Sequence, residues 1–362
     1  MPPRTGHGRV WQRMLAGLSD RVALEFVEGN HSSYARVKAD AWLVDGHGGA
    51  VNVDSPVVAA IHEVGWTTRE LRGYLDPDFV RRFAANTLAG VLAADHVLTP
   101  SEWSRGQVLD AYGTRDDLVH TVPYGADLEV FRPGVTGGRA RVAAVTGVAD
   151  PRYVLFVGTL HPRKNVAAVR HAVARLARRG FRQLLVLATA DAADRDDSSE
   201  LRRRAEAELP GAPGRIVSIP AGADIELAAL MAGADAVCQP SFSEGFGLTA
   251  LEAMACGTPV IASMASSIPE VTGDAAVLLD PNDDAGWVAS LDAAFADTLA
   301  DQLQILFPDE ILRYVIIHEL CHLRHFNHSE RFWGMVEEYD PRFQESVAWL
   351  KKYGVRVEGV LR

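Results

Sequence analysis

The sequence predicts an α/β chain built on parallel sheets and closed by a helical tail of different origin. Three observations carry that expectation. From Tyr153 onward, short apolar runs alternate with helical stretches. After Gln302 the composition changes abruptly, and the run HELCHLRHFNH, residues 318–328, holds four of the chain's twelve histidines.

The apolar runs YVLFVG, QLLVLAT, RIVSIP, DAVCQPS and PVIAS read as strands, separated by the helical stretches NVAAVRHAVARLARRG, IELAALMAG and LTALEAMACG. Near-continuous apolar strands between helices belong to a parallel sheet covered on both faces. In such sheets a ligand lies beyond the carboxyl ends of the strands, at the loops that enter helices. Two loops there carry suitable chemistry. GTLHPRKN, residues 158–165, offers a glycine backbone, a helix start and the adjacent cations Arg163 and Lys164, all of which stabilise a pyrophosphate. In SFSEGFGLTALEAMACGTPVI, residues 241–261, Gly245 and Gly247 let backbone amides approach a ligand. Glu244 and Glu252 stand eight residues apart and can accept hydrogen bonds from vicinal hydroxyls.

Composition sets the boundaries. Roughly one residue in six is alanine before residue 300, whereas Ala348 is the single alanine after Gln302. Two of the four lysines, Lys351 and Lys352, fall in that tail. The seam lies between Ala296 and Gln302, and the glycine-rich stretch around 134–150 reads as a linker. Four segments are expected: 1–133, the linker 134–150, 151–297, and the tail 298–362.

At 362 residues with a net charge of −11, the chain has room for two or three domains and no nucleic-acid surface is expected. MPPRTGHGRV lacks the apolar centre of a signal peptide, and no apolar run is long enough to span a bilayer. Three scattered cysteines fit a reducing compartment. The expectation is a cytoplasmic protein; peripheral membrane contact and oligomeric state stay open.

Residues 153–295 resemble the nucleotide-binding domain of retaining GT-B glycosyltransferases of family four. The resemblance rests on Glu244-x7-Glu252 inside PSFSEGFGLTALEAMACGTPVIAS, on FVGTLHPRKN and on SIPEVTGDAAVLLDP; Thr249 stands where the family carries proline. It implies two Rossmann-like parallel-sheet domains. It further implies that Arg163 and Lys164 contact the donor diphosphate, that Glu252 binds the ribose, and that Glu244 with the backbone of Gly245, Phe246, Gly247 and Leu248 meets the transferred sugar. The fold type generally needs no divalent metal for the transfer. Residues 1–133 are similar to the acceptor-side domain through VNVDSPVVAAIHEVGW, HVLTPSEWSRGQVLDAYG and VHTVPYGADLEVFRP. This places His62 near the sugar and likens GHGRV, with Gly8, to the family's glycine-rich loop. Where the family opens with a strand ahead of that loop, this chain has MPPRT. The implied substrates are a nucleotide-diphosphate sugar and a small-molecule or glycan acceptor.

HELCH fits H-E-x-x-H. On a helix His318 and His322 share one face and can share a zinc ion, with Glu319 as general base toward bound water. His328 stands at third-ligand spacing. A straight helix would carry it about 15 Å from His318, so the chain must turn after His322. The segment from Tyr314 resembles the C-terminal half of YgjP-like (SprT/WLM-related) metallopeptidase domains, which implies the ligands His318, His322 and His328 with Glu319 catalytic. Three readings result: a glycosyltransferase with a zinc-binding tail, a zinc hydrolase carrying a larger regulatory part, or a fusion of two incomplete modules with neither activity.

Overall fold

The computed structural model describes residues 6–19, 22–23, 37–64, 77–189, 216–306 and 329–353. The chain divides into two compact units, Met1–Asp292 and Ala293–Arg362.

The larger unit holds two parallel sheets. The first has the order β1-β2-β3-β4, with β1 Trp42–Asp45, β2 Val57–Ala60, β3 His96–Thr99 and β4 Val119–Thr121. Around it stand α1 Gly6–Ser19, α2 Pro77–Ala93 and α3 Glu102–Tyr112. The chain starts α3 where Ser101 accepts a hydrogen bond from the Ser104 amide, and ends it where Gly113 turns left-handed at φ 61°. Ile61, Val91, Val97, Val108 and Val119 form the buried core of this half.

The second sheet has the order β10-β9-β8-β5-β6-β7, all parallel. Its strands are β5 Tyr153–Val157, β6 Leu184–Thr189, β7 Ile216–Pro220, β8 Ala236–Gln239, β9 Val260–Ser263 and β10 Val277–Leu279. The apolar runs expected as strands from 153 to 263 all occupy this sheet. Its two central strands, β5 and β8, are buried almost throughout because helices cover both faces. The helices of this half are α4 Gly138–Thr146, α5 Val166–Arg178, α6 Asp224–Gly233, α7 Leu248–Ala255 and α8 Ile268–Thr272, and α9 Asp284–Leu306 begins in the larger unit and continues into the smaller one. In α5 the buried Val166, Val169, Val173 and Leu176 recur at helical spacing and seat it on the sheet. Cys238 on β8 and Cys256 after α7 are buried free thiols.

The stretch read as a linker contains α4. A Cβ on Gly138 would lie 2.0 Å from the Ala229 carbonyl oxygen, so glycine there lets α4 press against α6. The composition seam at 296–302 falls within α9. GHGRV differs from its expectation as a loop: Gly6 and Gly8 begin α1. Gly8 has no positive φ. Arg9 and Arg13, four apart on that helix, share one face and reach the same acidic partners, which favours the helical course.

In the smaller unit, α10 Glu330–Tyr339 and α11 Phe343–Tyr353 pack through Phe332, Val336 and Phe343, with Trp333 stacked on Phe343 at 5.5 Å. The Ser329 hydroxyl caps α10 by accepting from the Phe332 amide. His318, Glu319, His322 and His328 lie outside the described residues. Among the described residues no group of His, Cys, Asp and Glu could hold a metal ion.

Candidate active site

Chain order reverses in the second sheet between β5 and β8, which pair directly: β6 follows β5 on one side, whereas β8 leads to β9 on the other. A crevice opens beyond the carboxyl ends of strands at such a point. The loop after β5 delivers Arg163 and Lys164; the loop after β8 delivers residues 241–247. Asn165, left-handed at φ 48°, fixes the first loop by donating from Nδ2 to the carbonyls of Pro240 and Pro281 at 3.2 and 2.8 Å.

Glu244 is the hub. Its Oε1 accepts from the Ser241 hydroxyl at 2.6 Å and from Lys164 Nζ at 2.7 Å. Its Oε2 accepts from Lys164 Nζ at 2.9 Å and Arg163 Nη1 at 3.3 Å. The Glu244 amide donates to Ser266 Oγ, and its carbonyl accepts from the Ser267 hydroxyl. Burial disfavours the charged carboxylate, but Lys164 and Arg163 override it and hold the group down at about 2. Arg163 also donates to the Ser243 carbonyl at 2.6 Å and pairs with Glu63 at 3.2 Å. The two cations expected to face a diphosphate thus rest on Glu244.

The first sheet closes over this loop. The Gly245 carbonyl accepts hydroxyl hydrogen bonds from Ser101 at 2.7 Å and Ser104 at 2.8 Å. Glu270 accepts from the Glu102 and Trp103 amides at the start of α3. His62 follows β2, is 3% exposed, and shares a hydrogen bond between Nδ1 and the Tyr124 hydroxyl. Its backbone amide donates to His47 Nε2 at 3.3 Å, and the Trp11 ring meets it edge-on at 5.8 Å. Burial raises the Tyr124 phenol, and Glu63 adds to the rise, so this hydroxyl stays protonated. Phe246 lies 5.2 Å from the Tyr124 ring. Gly247, at φ 100°, turns the chain into α7, which Leu248 opens.

Glu252 forms a second cluster on α7. It is buried, and its two oxygens accept from Arg9 Nη1 at 2.9 Å and Nη2 at 3.1 Å. Arg9 and Arg13 also reach Asp224, at 3.3 and 3.2 Å. Gly8 is buried beside Arg9 in α1.

The structure therefore gathers His62, Arg163, Lys164, Glu244, Gly245, Phe246 and Gly247 around one loop, and sets Glu252 with α1. Sequence reasoning did not find Arg9, Arg13, Glu63, Ser101, Ser104, Tyr124 or Asp224. The i,i+4 arginine pair on α1 and the S-x-x-S at the start of α3 were the available signals.

Burial pushes the Glu252 carboxyl up to about 7, against the opposing pull of Arg9. Between about pH 4.5 and 7 the folded chain keeps a proton that the unfolded chain has lost. The group's contribution is complete below 4.5 and declines as pH rises through that window. Across it, the unfolding free energy of the wild type should fall by roughly 3 kcal/mol relative to Glu252→Gln. Urea titrations at pH 5 and 8 measure the difference; equal gaps at both pH values would contradict the assignment.

Comparisons with known proteins agree with this architecture. Residues 142–304 match the family model for glycosyl transferases group 1, and residues 302–353 match that for a YgjP-like metallopeptidase domain. D-inositol 3-phosphate glycosyltransferases of Mycobacterium tuberculosis and Mycobacterium bovis are 34% identical over 201 residues, covering 55% of this chain and 40% of theirs. The chain thus spans about two fifths of the length of these curated relatives. Anabaena Alr3699/HepE in complex with UDP and glucose aligns with a TM-score of 0.55 at 23% identity, over 68% of this chain and 63% of that one. A glycosyltransferase from Rickettsia africae aligns at 0.51 and 16%, over 82% and 72%. These structural likenesses show the fold. No described helix is long and apolar enough to cross a membrane. Residues 142–304, which hold the second parallel sheet, are thus similar to glycosyl transferases group 1, and the chain shares the fold of the solved glycosyltransferase structures.

Proposed function

We propose that the protein transfers a glycosyl group from a nucleotide-diphosphate sugar to an acceptor hydroxyl, with retention at the anomeric carbon. The observation that carries this reading is the meeting of Arg163, Lys164 and Glu244 at the point where strand order reverses. As the bond to the sugar breaks, negative charge grows on the departing diphosphate. Arg163 and Lys164 stabilise that charge, already positioned by the contacts that hold them near Glu244. Glu244, ionised throughout the working pH range, orients the cations and accepts from the sugar hydroxyls, while the 245–248 backbone lines the sugar. Glu252 takes the ribose, Gly8 lies on the donor side, and His62 faces the anomeric region.

The Anabaena structure holds UDP and glucose, so a uridine nucleotide is the first donor to test. The mycobacterial relatives are named for D-inositol 3-phosphate, which makes a small phosphorylated polyol the first acceptor. A UDP excess of about a hundredfold over Kd should stabilise the protein by about 2.7 kcal/mol, visible as a raised Tm. No shift with either UDP or GDP would refute the reading.

A second reading is favoured by the YgjP-like match at residues 302–353. Zinc held by His318, His322 and His328, with Glu319 activating water, would make the tail a metallohydrolase site. Purified protein should then contain one zinc per chain, and His322→Ala should lose it. Protein free of zinc after growth in zinc-supplemented medium would dismiss this reading.

A further inference from the structure

We infer that α1 is a built-in competitor of the donor nucleotide: Arg9 and Arg13 occupy the carboxylates of Glu252 and Asp224, and nucleotide entry displaces them. This rests on the reading that Glu252 is the ribose acceptor. Three features of the contact support it. Glu252 has no exposed surface, and each of its oxygens already accepts from Arg9, at 2.9 and 3.1 Å. Arg9 and Arg13 therefore cover a carboxylate, sealed from solvent, that a ribose would have to reach. Second, the contact is a composite seat rather than one ion pair. Arg13 joins Arg9 on Asp224, and both guanidinium groups lie over the Phe131 ring, at 5.8 and 5.9 Å.

Third, the seat is imperfect, so it can open. The Trp11 indole nitrogen is buried with no hydrogen-bond partner among the described residues, which costs stability while α1 stays in place. Burial also lifts the Glu252 carboxyl despite the bidentate arginine, so the ion pair does not fully offset its own desolvation. Ribose hydroxyls are neutral donors and would satisfy the same oxygens without a second buried charge. The open form is then the binding-competent state, and the apparent affinity for nucleotide is lowered by the fraction of molecules that remain closed.

Hydrogen exchange on the full chain with UDP as probe tests the displacement without any variant. UDP should slow exchange in residues 244–255 and speed it in residues 6–19, the reverse of the protection a ligand usually confers on its neighbours. Calorimetry adds a second measurement. Arg9→Ala should bind UDP at least fivefold more tightly than wild type, whereas Glu252→Gln should weaken binding. Should UDP bind and protect both segments, or should Arg9→Ala weaken binding, α1 is a donor-binding element and the inference is overturned alone. Absence of UDP and GDP binding in wild type and Arg9→Ala alike would overturn the proposed function and this inference with it.

Discussion

Replacing Lys164 by alanine is expected to lower turnover at least about tenfold, with most of the loss in kcat. Removing one preorganised donor from a developing anion commonly costs about 3 kcal/mol. The charge on a leaving diphosphate grows mainly in the transition state, so the lost cation is felt there more than in binding. The geometry adds a second effect. Lys164 Nζ supplies hydrogen bonds to both Glu244 oxygens, at 2.7 and 2.9 Å, and its charge, with that of Arg163, holds the carboxyl down against its burial. Without it Glu244 keeps Arg163 and Ser241 and becomes easier to protonate. Lys164→Arg keeps the charge while changing its shape, so it should retain more activity than alanine. Steady-state kinetics on both variants measure the effect; an unchanged kcat in Lys164→Ala would remove the basis of the catalytic assignment.

Gly245→Ala is expected to be the more severe change, affecting both stability and activity. A Cβ at this position would lie 1.8 Å from the His62 carbonyl oxygen and 2.9 Å from its carbon. Both atoms are backbone, so no rotamer relieves the clash and the loop must retreat. Retreat breaks the two serine hydroxyl bonds to the Gly245 carbonyl and draws Glu244 away from its cations. Overpacking of this kind typically costs about 1–3 kcal/mol. A displacement of about 1 Å in a positioning loop can cost on the order of a hundredfold in rate. A lower Tm and turnover near one-hundredth of wild type, or roughly so, are expected. A variant with both properties intact would show that the two sheets do not meet at this residue in solution.

The contrast between these residues explains how much was legible beforehand. Strands such as YVLFV and helices such as the one from Val166 announce themselves because burial on both faces, or on one stripe, is written in neighbouring residues. Arg163, Lys164 and Glu244 stood out as candidates because their chemistry sits in short loops after strands, and Glu252 because it follows Glu244 by eight residues inside the next helix. β10 was harder: three residues inside DAAVLLDP are too few to show a period. What stayed hidden depends on partners far along the chain. Arg9 meets a carboxylate 243 positions away, and Ser101 meets a carbonyl 144 positions away. No local pattern encodes such pairings. GHGRV was expected as a loop only through its likeness to the family's glycine-rich loop, and in this chain it opens a helix instead. The histidine run of the tail was legible as a motif, and its geometry lies outside the described residues.

The two thiols of the second sheet are chemically quiet by construction. Burial lifts Cys238 up to about 12, and burial with the neighbouring Glu252 charge lifts Cys256 up to about 11, so neither forms thiolate near neutrality. Alkylating or oxidising agents can reach them only when β8 separates from its neighbours, for Cys238, or α7 lifts from α6, for Cys256. Their modification rate is therefore a clock for the opening of that half of the molecule, and whatever fills the crevice above β5 and β8 slows it.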